Sequence, residues 1–393
     1  MLTHRDIFLQ HLAQTSDFPL MLEIEKAEGV WLFAKNSKYI DLISGIGVSS
    51  VGHRHPKVIA AIKDQIDKHL HLMVYGEFVQ TSQVRLAKAL SDTLPEPLNN
   101  VYLLNSGSEA IEGALKLAKR YTGRYEIIAC ENAYHGSSHG ALAVGGSKNF
   151  SRAFRPLVPG IRHIRFGNLE DLNLINHKTA AVLIETVQGE AGVRIASEEY
   201  FKALREACDR HQALLITDEI QCGFGRTGKF WAFEHYGFVP DIVTCAKAMG
   251  GGMPIGAFIS SEEVMSVFKN NPILGHITTF GGHPVSAAAS LATINVINEE
   301  ALVSQVEAKA GLFKTELSHP LIKEVRNKGL MMAVEFESFE QLKPIIDKCI
   351  ENGVLTDWFL FCDNSMRIAP PLTISEEEIK HSCQKILEVL SSV

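Results

Sequence analysis

The stretch "ALLITDEIQCGFGRTG", Ala213 to Gly228, passes from an apolar run to two acids, Asp218 and Glu219. Three glycines follow, Gly223, Gly225 and Gly228, in the spacing G-x-G-x-x-G. Dinucleotide-binding loops share that spacing. Such a loop needs a strand directly before its first glycine, a helix opening at its last, and an acid about 20 residues later at the end of the next strand. Here two acids intervene before Gly223, "KFWAFEHYGF" after Gly228 is aromatic rather than a clean helix start, and Asp241 begins the next apolar run instead of ending it. The glycine pattern therefore does not establish a nucleotide site, and a surface turn explains it better. Asp218 remains to be explained, because a carboxylate at the end of a hydrophobic strand is costly unless it meets a cation.

The segment "TCAKAMGGGMPIG" supplies one, setting Lys247 after another apolar run and just before Gly250, Gly251 and Gly252. A lysine there can be partly desolvated, which lowers its pKa and makes it a nucleophilic amine. Taken alone, Lys247 reads more readily as a solvated surface lysine. Paired with a desolvated acid it fits pyridoxal 5'-phosphate (PLP), which requires a Schiff-base lysine and an acid on its pyridine nitrogen. PLP also needs a phosphate cup and a ring platform. In "LLNSGSEAIEGALKLAKR" an apolar run ends at Asn105, Ser106, Gly107 and Ser108 turn the chain, and the start of an amphipathic helix offers free N–H groups to an anion. The same segment reads as a plain serine N-cap. Tyr134 in "ENAYHGSSHG" is the candidate platform, or a half-buried aromatic. His135 and His139 have a metal-ligand spacing, but "GSS" between them is a poor helix former and no third ligand presents itself, so no metal is expected.

Around these motifs, short apolar runs alternate with helical patterns, the signature of a largely parallel α/β sheet with its chemistry at the carboxyl ends of the strands. After about residue 290 the texture changes to long helices around the strands "GLMMAVEFE" and "SMRIAPP". The expected division is a large domain over 46–289 and a small α+β domain built from 1–45 and 290–393. The chain has 393 residues, 46% of them hydrophobic, enough for a substantial core. Its net charge of -7, from 38 basic and 45 acidic residues spread along the sequence, offers no basic stripe for nucleic acid. No run reaches membrane-spanning length, the start "MLTHRDIFLQHLAQ" lacks an apolar signal region, and the seven cysteines are scattered without a C-x-x-C pair. Nucleic acid and membrane are not expected partners, and a cytoplasmic location is expected.

The segment "LITDEIQCGFGRTGKFWAFEHYGFVPDIVTCAKAMGGGMPIGA" closely resembles the signature of the class III aminotransferases, the ornithine, acetylornithine and 4-aminobutyrate enzymes, which use PLP on fold type I. Further matches follow in order over most of the chain: "YIDLISGIGVSSVGHRHPKVIAAI", "LLNSGSEAIEGALKLAK", "NAYHG", "IETVQGEAGV", "TTFGGHPVSAAAS" and "RIAPPLTI". The resemblance implies a mainly parallel sheet of the seven-stranded type, with Lys247 carrying the cofactor and Asp218 on the pyridine nitrogen. It implies Tyr134 and Ile220 on the two ring faces, Gln221 on the ring hydroxyl, and Ser106, Gly107 and Ser108 at the phosphate, with His135 and Glu185 completing the cofactor shell. Thr279 is implied to reach the phosphate in a neighbouring subunit, hence a homodimer. On the substrate side it implies Ile46, Thr278 and a Glu190–Arg367 pair, the arginine masked for an ω-amino donor and freed for the α-carboxylate of 2-oxoglutarate.

One departure bears on the donor. The acetylornithine and ornithine enzymes usually read H-G-R-T after the platform aromatic, with an arginine for the substrate's α-carboxylate, whereas this chain reads His135-Gly136-Ser137-Ser138. Asp17-Phe18-Pro19 also stands where those enzymes often carry Arg or Tyr before the proline, while Ile46 fits the acetylornithine and 4-aminobutyrate pattern better than the ornithine one. The expected reaction is ping-pong transfer from an ω-amino donor to 2-oxoglutarate. A diamine is as compatible with the motifs as N-acetylornithine, and an aminomutase or decarboxylating aminotransferase is the alternative on the same scaffold.

Overall fold

The computed structural model describes residues 2–74 and 76–392. Its centre is a seven-stranded sheet in the spatial order Asn100–Leu104, Gly256–Ser260, Ile242–Cys245, Leu214–Asp218, Thr179–Glu185, Glu126–Cys130, Ile161–Ile164. Gly256–Ser260 runs antiparallel to both neighbours and the other pairings are parallel. The five inner strands are buried at every position. Unbroken apolar runs such as "AAVLIE" are what a parallel sheet covered on both faces demands. Successive residues accordingly feed different cores. Ile127, Leu183 and Ile216 pack with Ile111 and Leu115 of the helix Gly107–Thr122, while Ile184 and Leu215 pack with Tyr200, Phe201 and Leu204 of the helix Glu198–His211.

Local sequence sets the ends of the helix Gly107–Thr122. The Ser106 hydroxyl accepts from the Glu109 N–H at the start, and Gly123 closes the other end at φ +67°. Gly113 lets the helix lie close on the sheet, since a Cβ there would come 2.3 Å from Cε1 of Phe258. Two smaller four-stranded sheets lie outside the central one. In the first, Lys38–Asp41 pairs in parallel with Val354–Leu355, joining early and late parts of the chain. In the second, Met331–Glu335 lies between Glu324–Lys328 and Cys362–Ile368, which in turn pairs with Trp358–Phe359.

The glycine-rich stretch that opened the sequence folds as a loop and opens no helix at Gly228. The next regular element is the short 3-10 turn Ala232–Tyr236. Gly225 and Gly228 stand at φ +88° and +90°, which explains the residue type at both without a nucleotide. Buried Glu219 holds the loop by accepting from Thr186 Oγ1, Ala232 N and Phe233 N at 2.7, 2.7 and 3.0 Å. At the loop's tip Arg226 is almost wholly buried and donates to the carbonyls of Leu330 and Pro370 and to the Ser50 hydroxyl. The loop after Asp218 is thereby tied to segments about 100 to 180 residues away in either direction. Arg226→Ala leaves those acceptors without a donor, and a loss of about 3 kcal/mol is expected in the unfolding free energy measured by urea denaturation. A loss under about 1 kcal/mol would show that the tie is dispensable.

Candidate active site

A cavity of about 730 Å³ opens at the carboxyl ends of the central strands. Of the residues singled out from the sequence, Ser106, Gly107, Ser108, Tyr134, His135, Glu185, Glu190, Asp218, Ile220, Gln221 and Lys247 line it. Ile46 and Arg367 line a small neighbouring cavity that shares Gln221 with the first. Thr278 and Thr279 line neither, although the Thr278 hydroxyl accepts from Nδ2 of Asn105, a residue of the main cavity wall.

Asp218 ends its strand beside Glu185, its register partner on the adjacent strand. It is 4% exposed, and its Oδ2 lies 2.7 Å from Nδ1 of buried His135, while Oδ1 accepts from the Ile220 N–H at 3.0 Å. The cation in contact with Asp218 is therefore the imidazole when protonated; no ion pair with Lys247 forms within 4 Å among the described residues. His135 thus stands behind the acid and orients it. Glu185 accepts from the N–H groups of Tyr134 and Gly189, and burial together with the charge of Asp218 pushes its carboxyl well above the usual range.

Lys247 follows the strand Ile242–Cys245 and enters the cavity from a left-handed backbone, φ +47°, an unfavourable conformation for a residue with a Cβ. Its amine has no hydrogen-bond partner among the described residues. Burial pushes its pKa down, against the opposing charges of Glu190 and Asp218. A half-buried, unpartnered amine with a lowered pKa is a nucleophile in waiting.

The start of the helix Gly107–Thr122 forms another wall, where the free N–H groups and the helix dipole suit an anion. Ser108 Oγ accepts from the Ser138 N–H and lies 3.0 Å from Ser138 Oγ, which in turn donates to Glu112. Glu112 also caps the chain at Gly140 and Ala141. Space is tight at the glycines: a Cβ on Gly107 would meet Ile220 Cδ1 at 2.9 Å, and one on Gly136 would meet Ser108 Oγ at 2.2 Å. Ser137 lies 3.2 Å from the Tyr134 hydroxyl.

At the inner end, Glu190 and Arg367 form a buried bidentate pair with contacts of 2.8 and 3.0 Å. Gln221 Nε2 and the Leu360 N–H also donate to the Glu190 carboxylate. Burial pushes that carboxyl up, but Arg367 and Gln221 outweigh it and hold it at about 2. Glu190 is therefore ionised, and Arg367 covered, at any ordinary assay pH. Sequence reasoning missed the third member of this group: Asp357 Oδ1 accepts from Arg367 Nε at 2.8 Å. Burial pushes the Asp357 carboxyl up despite Arg367 beside it. The signal for Asp357 was the hairpin itself, since Trp358 pairs with Met366 and so brings residues 357 and 367 together.

An amine with a lowered pKa, a buried acid fixed by an imidazole, a helix start for an anion, and a cavity lined by Tyr134 and Ile220 make a site that fits PLP at the strand ends of a mainly parallel sheet. Comparison with known proteins agrees. Residues 12–390 match the model of the family "Aminotransferase class-III". The chain is 40% identical to the acetylornithine aminotransferase of Methanopyrus kandleri, over 97% of this chain and 96% of that protein. Against the acetylornithine aminotransferase of Caldanaerobacter subterraneus the identity is 37%, over 96% of each. The ornithine aminotransferase of Toxoplasma gondii superposes with a TM-score of 0.91 at 30% identity, covering 100% of this chain and 96% of that one. A second structure of that enzyme has PLP at partial occupancy in its active site. The chain belongs to the class III aminotransferases: it is a PLP-dependent aminotransferase of fold type I.

The position of His135 generates a prediction of its own. His135→Phe fills the same space but leaves Asp218 Oδ2 without its donor, and PLP affinity should fall on the order of tenfold in equilibrium dialysis. Unchanged affinity would mean that Asp218 needs no orienting partner.

Proposed function

We propose that this enzyme moves an amino group from an ω-amino donor to 2-oxoglutarate in a ping-pong cycle. The observation that carries the reading is the state of its cations. Lys247 is the only lysine or arginine lining the main cavity among the described residues, and Arg367, next to it, is covered by Glu190. A donor can thus present its amine to Lys247 without a carboxylate contact, whereas an acceptor's α-carboxylate needs Arg367 uncovered. The acetylornithine and ornithine aminotransferases among the relatives support an ω-amino donor, and the serines at 137 and 138, which bring no cation, extend the class to diamines.

When bound, PLP supplies the electron sink for the electron pair left on the donor carbon. On this reading Lys247 holds the cofactor until the donor amine takes its place. The released Lys247 amine, of lowered pKa, would then move a proton from the donor carbon to the cofactor within the same half-reaction, and would run the reverse transfer with the acceptor. Asp218, fixed by His135 and the Ile220 N–H, holds a proton on the pyridine nitrogen. Tyr134 and Ile220 flank the ring and Gln221 faces its hydroxyl, with Glu185 behind. Ser106, Gly107 and Ser108 receive the phosphate. Ile46 and Thr278 belong to the substrate side.

The reading includes a homodimer in which Thr279 of a second copy reaches the phosphate. Its support is an apolar surface: Leu70, Leu72, Phe78, Ile273, Leu274 and Ile277 are exposed and Val79 is 93% exposed, while His71 packs on Phe280 to join the two segments. Such a surface requires cover. We also propose that residues 46–289 form a PLP-binding domain and that 1–45 with 290–393 form a small one, a division supported by the sheet that joins Lys38–Asp41 to Val354–Leu355. A cytoplasmic location is supported by the seven cysteines, all free and six of them buried. No helix of the described residues is long and apolar enough to cross a membrane.

A panel of amino donors tested with and without 2-oxoglutarate checks the reaction, because an aminomutase needs no 2-oxo acid. Lys247→Ala should abolish turnover and the yellow colour of the protein, and a coloured, active variant would remove Lys247 from its role. Arg367→Ala should slow the 2-oxoglutarate half-reaction on the order of a hundredfold and leave that of a carboxylate-free diamine within a few-fold. Single-turnover rates for each half measure this, and equal losses in both would overturn the proposed division of labour.

A further inference from the structure

Arg367 is held by two carboxylates that differ in their attachment. Glu190 sits in the turn between the short paired strands Val187–Gln188 and Arg194–Ile195, lines the main cavity, and takes Nη1 and Nη2. Asp357 takes Nε, and its own carbonyl accepts the Arg367 backbone N–H at 2.9 Å. Asp357 and Arg367 thus face each other across one hairpin, closed further by Trp358, whose carbonyl accepts from Nη2, and by the Phe359 ring 4.5 Å from the guanidinium. Glu190 can leave by side-chain rotation. Asp357 lines neither cavity, and its backbone is bonded directly to that of Arg367.

We propose that Asp357 is the fixed counterion of Arg367, a positioning residue that keeps the guanidinium compensated and its Nη1–Nη2 fork aimed while an incoming carboxylate replaces Glu190. This rests on the reading of Arg367 as the carboxylate-binding residue. A buried arginine stripped of its partner is among the costliest states in a protein. With Asp357 in place, the exchange of one carboxylate for another never passes through a bare buried cation. A carboxylate recognised by two parallel N–H groups also requires the guanidinium plane to be fixed, and the bond to Nε fixes it from the side away from Glu190.

The test separates charge from geometry. Asp357→Asn retains an oxygen for Nε but removes the charge, and Asp357→Ala removes both. In the holoenzyme, the second-order rate of the 2-oxoglutarate half-reaction should fall about tenfold in the Asn variant and further in the Ala variant, with the rate at saturating 2-oxoglutarate nearly unchanged. The half-reaction of a carboxylate-free diamine should be unaffected in both. Stopped-flow association of glutarate, a dicarboxylate that cannot react, should slow by the same factor and gives a readout independent of turnover. If Arg367→Ala selectively damages the acceptor half while Asp357→Asn leaves 2-oxoglutarate and glutarate association intact, the inference fails and the reading of Arg367 stands. Loss of both half-reactions together, as a folding defect produces, also overturns it. If Arg367→Ala spares the acceptor half, the reading and the inference fall together.

Discussion

A carboxylate at the end of a wholly buried strand has to be compensated, and much of the site follows from how Asp218 is. The sheet needs an unbroken apolar run to be covered on both faces, so a charge can enter only where the run stops. There the chain places the imidazole of His135 against one oxygen and the Ile220 N–H against the other. The acid is thereby fixed in direction, and its neighbour Glu185 is pushed toward the neutral form rather than adding a second buried charge. The amine of Lys247 is left uncommitted across the cavity. Had Lys247 paired directly with Asp218, neither group would be available to a cofactor.

The same economy of charge governs the inner end. Glu190 is covered by four donors, from Arg367, Gln221 and Leu360, and its pKa of about 2 reports how firmly they hold it. An arrangement this tight would be a dead end if the arginine had no other partner. Asp357 changes that, because the group carries two carboxylates and one guanidinium and can exchange one carboxylate without exposing the cation. The first cluster sits at the end of a central strand, the second joins a turn to the strand Cys362–Ile368 of a smaller sheet, and Gln221 borders both cavities.

How much of this was legible in the sequence depends on distance along the chain. The strand before Asp218, the helix after Ser106 and the position of Lys247 were readable because each is written in a few contiguous residues: apolar runs, a serine cap, a glycine cluster. The glycine spacing after Asp218 invited a nucleotide reading and was refused on its flanks, which the loop at Gly225 and Gly228 bears out. Arg226, at the same loop's tip, carried no local signal, since its partners at Ser50, Leu330 and Pro370 lie far off. Glu190 and Arg367 stand 177 positions apart, and only the family pattern linked them beforehand. Asp357 escaped because finding it needs the register of the hairpin, which the sequence alone leaves open.

Charge also bears on the donor. The main cavity is lined by Glu109, Glu185, Glu190 and Asp218 against a single lysine, and His135 is already engaged with Asp218. Ser137 lies beside the Tyr134 hydroxyl and Ser138 between Ser108 and Glu112, so neither position offers a cation. A donor bearing a carboxylate at its far end would find Arg367 covered and, among the described residues lining the cavity, no lysine or arginine other than Lys247. A donor whose far end is neutral or positive needs no such cation, and in a cavity of low dielectric that difference acts over several ångströms. On the proposed reading, selection among ω-amines then comes from the lack of a further cation among the described residues of the cavity wall, while the acceptor is selected by Arg367 once it is uncovered.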